Sequence, residues 1–318
     1  MGVSAHGVLT ERAGVAVWQS LSMSSEEAFG GPIPTDPIAA LRALNSRWLS
    51  DPVPGMPPFS GGLVGHIGWD AVRHLETLPH NEERESAIPT LFLTMVKDFV
   101  AIDHHTSEVV LVALVHSFDG PGVADYDEAV GRLDSLHQRL AEPTPSTLHR
   151  RAGIGDVTPR PDVEKSEFLE MVAAAKQHIV DGDVFQVVLS QQFTEKVTAS
   201  ALEVYRVLRQ VNPSPYMYLL ECKDADGNPY QVVGSSPEAL VTISHGNVVS
   251  HPIAGSRPRG ATASEDAELA ASLLNDAKEK SEHLMLVDLS RNDLSKVSKP
   301  GSVEVTEFMQ VERFSHIM

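Results

Sequence analysis

Cysteine is almost missing from these 318 residues: Cys222 is the only one. A disulfide within the chain is therefore excluded, and a reducing, cytoplasmic compartment is the natural one. Long apolar runs are missing too. No stretch approaches the roughly 18 consecutive apolar residues of a spanning helix, and the strongest runs, such as Val109–Val115, are strand-sized. Met1–Gln19 has no basic segment followed by an apolar core, so no signal peptide is expected. Positive charge is scarce: 25 Lys+Arg stand against 43 Asp+Glu, a formal net charge of −18. Such a surface repels nucleic acid and anionic membranes, and neither is expected as a partner. An anionic substrate would also be repelled at long range. Any anion site must therefore use local dipoles, arginine or a metal.

What is present suits a globular protein with a sizeable core, in two medium domains or one large one. Residues 1–140 read as mixed strand and helix. Gly7–Ser20 has the pattern of a hairpin turning at Glu11-Arg12-Ala13-Gly14. Helical spacing runs through Ile38, Leu41, Leu44 and Leu49, and again over Tyr126–Leu140. Strands are expected at Leu91–Ile102 and Glu108–Val115. Residues 141–162 are Pro-rich and aperiodic, a linker or crossover before a third region, 163–318.

That last region is patterned more clearly. Glu167–Val180 reads as a helix ended by Gly182. Val184–Phe193 alternates as a strand, with Gln186 on the face opposite Phe185 and Val187. A helix over Ala201–Val211 stops at Asn212-Pro213. Tyr216–Cys222 and Tyr230–Val233 flank Asp226-Gly227, a hairpin signal. A further hairpin is expected around Gly246. Thr262-x-x-Glu265 is a capping pattern that opens helical sequence running, with a break, to Asp293. Hairpins interleaved with helices predict an α+β fold with largely antiparallel sheets.

Several apparent motifs lose their force on inspection. Ser60–Gly68 is glycine-rich but lacks the ending of a phosphate loop, and close backbone packing explains it better. Asp103-His104-His105 reads as a solvated turn. Asp224–Gly227 has its glycine in the wrong place for a calcium loop. No Gly-x-Ser-x-Gly is present, so covalent hydrolase chemistry has no support.

Four segments together carry a resemblance: Asp183–Gln192 (DVFQVVLSQQ), Asn212–Leu219 (NPSPYMYL), Val233–Gly260 and Ser281–Asp293 (SEHLMLVDLSRND). In order and spacing they resemble the large, chorismate-binding subunit of anthranilate synthase (component I), within the wider chorismate-utilising enzymes. A weaker likeness extends through Gly61–Glu76 and Val100–Val110. The resemblance implies two β-sheets packed as a sandwich with helices outside. It also implies a lyase that converts chorismate and ammonia to anthranilate and pyruvate, in tryptophan biosynthesis. Ammonia would come from a glutamine amidotransferase subunit in a hetero-oligomer, because no glutaminase cysteine motif occurs here.

Two positions choose within that family. Relatives that add water carry lysine at the position of Gln186, as a base. Ammonia already has its lone pair, and glutamine can position it without taking its proton. Aminodeoxychorismate synthases often carry a nucleophilic lysine at the position of Ala254; alanine closes that covalent route. The resemblance further puts the general acid at Glu238, where burial would raise its affinity for a proton. It implies Mg²⁺ at Glu282 and contacts to the substrate ring from Gly255 and Ser256. A carboxylate beside the apolar run Leu284–Val287 needs a counter-charge, and an arginine such as Arg291 or Arg313 would serve as well as a metal. Asn212, Pro213, Ser214, Pro215, Tyr216 and Met217 match the family's site for tryptophan as feedback inhibitor; a structural turn is the plainer reading of the same residues.

The likeness also implies family segments on either side of this chain. These include half of the tryptophan site before it and, after Met318, a histidine, a pyruvate-binding arginine and a second metal-binding glutamate. The expectation is therefore an incomplete fold and a chain that makes no anthranilate alone. Two other functions stay open: aminodeoxychorismate synthase, or a non-catalytic fragment that binds tryptophan or a protein partner.

Overall fold

In the computed structural model, residues 1–51, 53–79, 88–117, 120, 122–144 and 158–318 are described. Most of the 141–162 linker, residues 145–157, lies outside them. The chain forms two units: Met1–Pro145 with Tyr218–Val233, and Ser146–Met217 with Gly234–Met318.

The first unit is built on an antiparallel sheet. Gly2–Arg12 (β1) and Val15–Ser20 (β2) join at Ala13 and Gly14, both at positive φ (50° and 75°). That is the backbone a two-residue hairpin turn requires. β1 also pairs with Leu91–Asp103 (β4). The other edge of β4 is shared: its first half pairs with Leu63–Ile67 (β3) and its second half with Glu108–Ala113 (β5). Gly65 is required at this junction, since a Cβ there would lie 1.8 Å from the Phe92 carbonyl oxygen. The glycine-rich stretch thus serves close backbone approach.

Both faces of the sheet are covered. Leu9, Leu91, Leu93 and Met95 pack with Trp18 against Ala28 of Ser25–Phe29 (α1) and Ala40 and Leu44 of Pro37–Trp48 (α2). Asp36 caps α2, and Pro37 sits where its missing N–H costs nothing. On the other face, Val8 and Phe92 meet Leu220, Cys222, Tyr230 and Val232. Those four come from a hairpin far along the chain, Tyr216–Lys223 (β8) and Pro229–Ser236 (β9). The Tyr230 hydroxyl is 2.8 Å from His66 Nε2. Val123–Ala141 (α3) buries Ala129 and Leu136.

The second unit is more open. Arg160–Pro161 (β6) pairs with Phe193–Thr194 (β7). Lys165–Asp181 (α4) ends at Gly182 in the left-handed region, φ 82°. Ala201–Val211 (α5) opens on a Ser200/Glu203 capping box. Neither helix holds a fully buried residue. Thr242–Ser244 (β10) and Asn247–Val249 (β11) form a short hairpin. Ala263–Asn275 (α6) and Ala277–Ser295 (α7) share Asp276 as the break between them.

One expected element is not formed. Val184–Gln192 forms no strand and bends at Phe185, and only Phe193 and Thr194 join a ladder. Alternation gives a segment two faces; a strand also needs a neighbour for its backbone groups. Phe185 and Val188 stand 93 % and 85 % exposed.

Candidate functional site

All the site residues named above fall in the second unit. Gln186 lies on the irregular segment after α4, and Glu282 lies on the second turn of α7. They are 96 positions apart, yet Gln186 Nε2 donates to Glu282 Oε1 at 3.3 Å. The glutamine thus presents one face to a carboxylate and keeps its amide oxygen for another donor. Neither arginine considered for Glu282 reaches it. Arg313 bonds Asp266 at 3.0 Å, and Arg291 lies 3.5 Å from Asp288.

Glu238 follows β9 on a tight turn. Ser236 Oγ donates to its carbonyl at 2.9 Å and accepts from its N–H at 3.4 Å. Its side chain is exposed. The burial that an acid at this position would use is not found. Ser235, just before it, donates to the Asn212 carbonyl at 2.8 Å. That bond ties the Glu238 turn to the end of α5, where Asn212–Met217 begins.

Gly255 has φ +77°, and a Cβ there would approach Glu279 Oε2 and Leu273 Cδ1 at 3.1 Å each. Glycine therefore lets the 254–257 backbone lie against α6 and α7. Ser256 is exposed, and its carbonyl accepts from Arg257 Nη1. Arg257 also pairs with Asp276 at 2.9 Å and lies 3.8 Å from Glu279.

Pro213, Ser214 and Pro215 line an open depression with Arg259, Arg313 and Phe314. Its two arginines are held by Asp266, a residue that carries no motif in the sequence. Asp266 accepts from Arg259 at 2.7 Å, Arg313 at 3.0 Å and the Gly260 N–H at 3.0 Å. The Arg259 bond, followed by the Gly260 amide, holds its carboxyl far below the usual carboxylate range. Backbone bonds between Arg257 and Met318, and from Arg259 N–H to the His316 carbonyl, run beside this cluster. The sequence signal was slight: Thr262-x-x-Glu265 marks the helix start, and Asp266 is simply the next acidic residue. Thr262 does cap Glu265, but Glu265 reaches back to Ala261 instead of closing a reciprocal box.

A hard divalent cation asks for carboxylate oxygens and keeps several waters. Glu282 supplies one carboxylate, and Glu279 stands one turn earlier on the same helix. Among the described residues no three His, Cys, Asp or Glu gather as a ready cage. The donors suit an ion held by one or two carboxylates and otherwise by water and substrate.

The sequence profile of a family described as chorismate binding enzyme matches residues 7–318. The chain is 44 % identical to anthranilate synthase component 1 of Arthrobacter globiformis, over 100 % of this chain and 60 % of that protein. It is 41 % identical to the same component of Mycobacterium tuberculosis, over 100 % and 62 %. The crystal structure of anthranilate synthase component I from Streptococcus pneumoniae superposes with a TM-score of 0.79 at 27 % identity, covering 100 % of this chain and 66 % of that one. The chain thus spans about 60 % of the length of the curated relatives it matches.

Proposed function

The chain belongs to the chorismate-binding enzymes, and from that premise we propose that it serves as the large subunit of an anthranilate synthase. The proposed reaction is a lyase step: ammonia adds to the chorismate ring, the ring hydroxyl leaves, and pyruvate is eliminated. One observation carries the reading. Gln186 and Glu282 are far apart in sequence and meet at 3.3 Å, and the proposal gives them adjoining tasks. Gln186 would orient ammonia by hydrogen bonds without acting as a base. Glu282 would hold Mg²⁺, which when bound would neutralise the ring carboxylate. Gly255 and Ser256 would position the ring, and Glu238 would protonate the departing hydroxyl. Ala254 has no nucleophile, which favours direct ammonia attack over a covalent route.

The partners follow from the same reading. Ammonia would arrive from a glutamine amidotransferase subunit, the second component that the relatives' name implies. Tryptophan would bind at Asn212–Met217 as a feedback inhibitor, supported by the depression that Pro213, Ser214 and Pro215 line. A cytoplasmic setting fits the single thiol, and among the described residues no helix is long and apolar enough to cross a membrane.

Chorismate, Mg²⁺ and ammonium supplied to the chain test this, with products read by fluorescence and mass spectrometry. Saturable chorismate binding is expected, without turnover, because Glu238 stands in solvent. No binding would overturn the proposal, and a 4-amino-4-deoxy adduct would overturn the choice of reaction. Mg²⁺-dependent anthranilate fluorescence would overturn the expectation that the chain alone is inactive.

A further inference from the structure

The first unit contains a cavity of about 300 Å³ that the proposed reaction does not use. It lies where the bulged start of β1, the end of β5 and the ends of α1, α2 and α3 converge. His6 and His116 are at its centre, their rings in edge-to-face contact at 4.5 Å. His6 is 8 % exposed. Its Nδ1 is 3.2 Å from Ser22 Oγ, while its Nε2 is buried without a partner, as is Nδ1 of His116. Two buried ring nitrogens left unpaired in one cavity are costly unless something binds them.

The charges around the pair indicate the sign of that ligand. Burial first, and then the charges of Lys97 and Arg132, keep both imidazoles neutral, while Asp98 opposes them at His6. Three cations, Arg47, Lys97 and Arg132, and three carboxylates, Glu27, Asp125 and Glu128, line the cavity, so the sign turns on which of them has donors or acceptors to spare. The nearby carboxylates are already engaged. Glu27 accepts from Ser24, and Asp125 accepts from the Gly122 N–H. Asp98 bonds Ser4 and Arg132, and Glu128 bonds Arg132 at 2.9 Å. Arg132 spends three N–H groups on Asp98, Glu128 and the Leu114 carbonyl. Arg47 donates to the Glu27 carbonyl and lies over the Trp48 ring. Lys97 differs: its side chain is only 17 % exposed, and its one ion-pair contact among the described residues, to Glu128, is long at 3.4 Å. An ammonium with unspent donors thus stands beside two unpaired imidazoles. Trp48, in edge contact with His116 at 5.1 Å, and Met23 supply apolar wall.

We propose that this cavity binds a small aromatic carboxylate, its carboxyl group held by Lys97, His6 and His116 and its ring set against Trp48 and Met23. The site is independent of the one on α7. Its carboxylate would satisfy both imidazoles as donors, and their affinity for protons would rise on binding.

Calorimetry with benzoate, and with benzamide as the uncharged control, tests the site, together with NMR titration of the histidine rings. Benzoate is expected to bind saturably and benzamide far more weakly. Lys97→Met should weaken benzoate by roughly tenfold or more, the loss of one charge-assisted hydrogen bond. The His6 and His116 resonances should titrate at higher pH with benzoate present. Equal affinity for benzamide, no saturation at millimolar benzoate, or shifts confined to His251 and His283 would overturn the proposal. If Lys97→Met fails to fold by circular dichroism, His116→Gln provides the same comparison; unchanged benzoate affinity in that folded variant would also overturn it.

Discussion

The two units solve the problem of burial differently. The first closes a sheet on both faces, with Leu9, Ala28 and Ala40 fully excluded from solvent and Leu44 at 1 % exposure. The second leaves its helices half wet. Among the described residues its buried apolar side chains are Ala270, Val287 and Met318. What organises it is polar: Asp266 between two arginines, Arg257 against Asp276, Gln186 against Glu282. Apolar burial is non-directional and sums over area. Hydrogen-bonded networks are directional and contribute less per contact, but they set the position of a polar side chain closely. The unit with the candidate chemistry is thus the one held by directional contacts.

The largest effect that would break this contrast is a core truncation. Leu44→Ala should cost about 2–5 kcal/mol in urea unfolding. Phe185→Ser, at a side chain 93 % exposed in the second unit, should stay within about 0.5 kcal/mol. Similar costs at the two sites would mean that the second unit buries more than its helices show.

Acid should separate the units next. Burial, and then the charge on His116, Lys97 and Arg132, lowers His6 to a pKa of about 4. The folded state therefore binds fewer protons than the unfolded chain, whose histidine titrates near 6.5. Stability is full above 6.5 and falls as pH drops toward 4. His6→Gln should remove on the order of 2 kcal/mol of that acid loss; melting temperatures across pH 4–7 would show the flatter profile.

Asp266 predicts a loss at lower pH. Its depressed carboxyl contributes stability above the usual carboxylate range, and that contribution is lost only as pH falls below it. Asp266→Asn should destabilise the second unit at neutral pH and remove its part of the transition below pH 4. Hydrogen exchange at the amides of Gly260 and Met318 should rise in this variant. Unchanged protection would show that the arginine pair is not what holds the segment.

Local signals made most elements legible. The turn at Ala13-Gly14, the Gly182 stop and the Asp226-Gly227 hairpin are all chemistry within a few residues, and the elements formed where that chemistry predicts. What stayed hidden depends on distant partners. Nothing near Tyr216–Ser236 says that its hairpin covers Val8 and Phe92 of the first unit. Nothing in the alternation of Val184–Gln192 says whether a neighbouring backbone is present. The Gln186–Glu282 contact joins two residues that only a family resemblance had placed in one site, and the same resemblance did not show that Glu238 lies exposed. Asp266 was missed because its partners, Arg259 and Arg313, lie 7 and 47 positions away.

Chorismate titrated calorimetrically into the protein and its Glu282→Gln variant, with and without Mg²⁺, tests the central claim most directly. The account predicts saturable binding strengthened by Mg²⁺ in the parent chain and indifferent to Mg²⁺ in the variant. Equal Mg²⁺ dependence in both, or no chorismate binding in either, would contradict it.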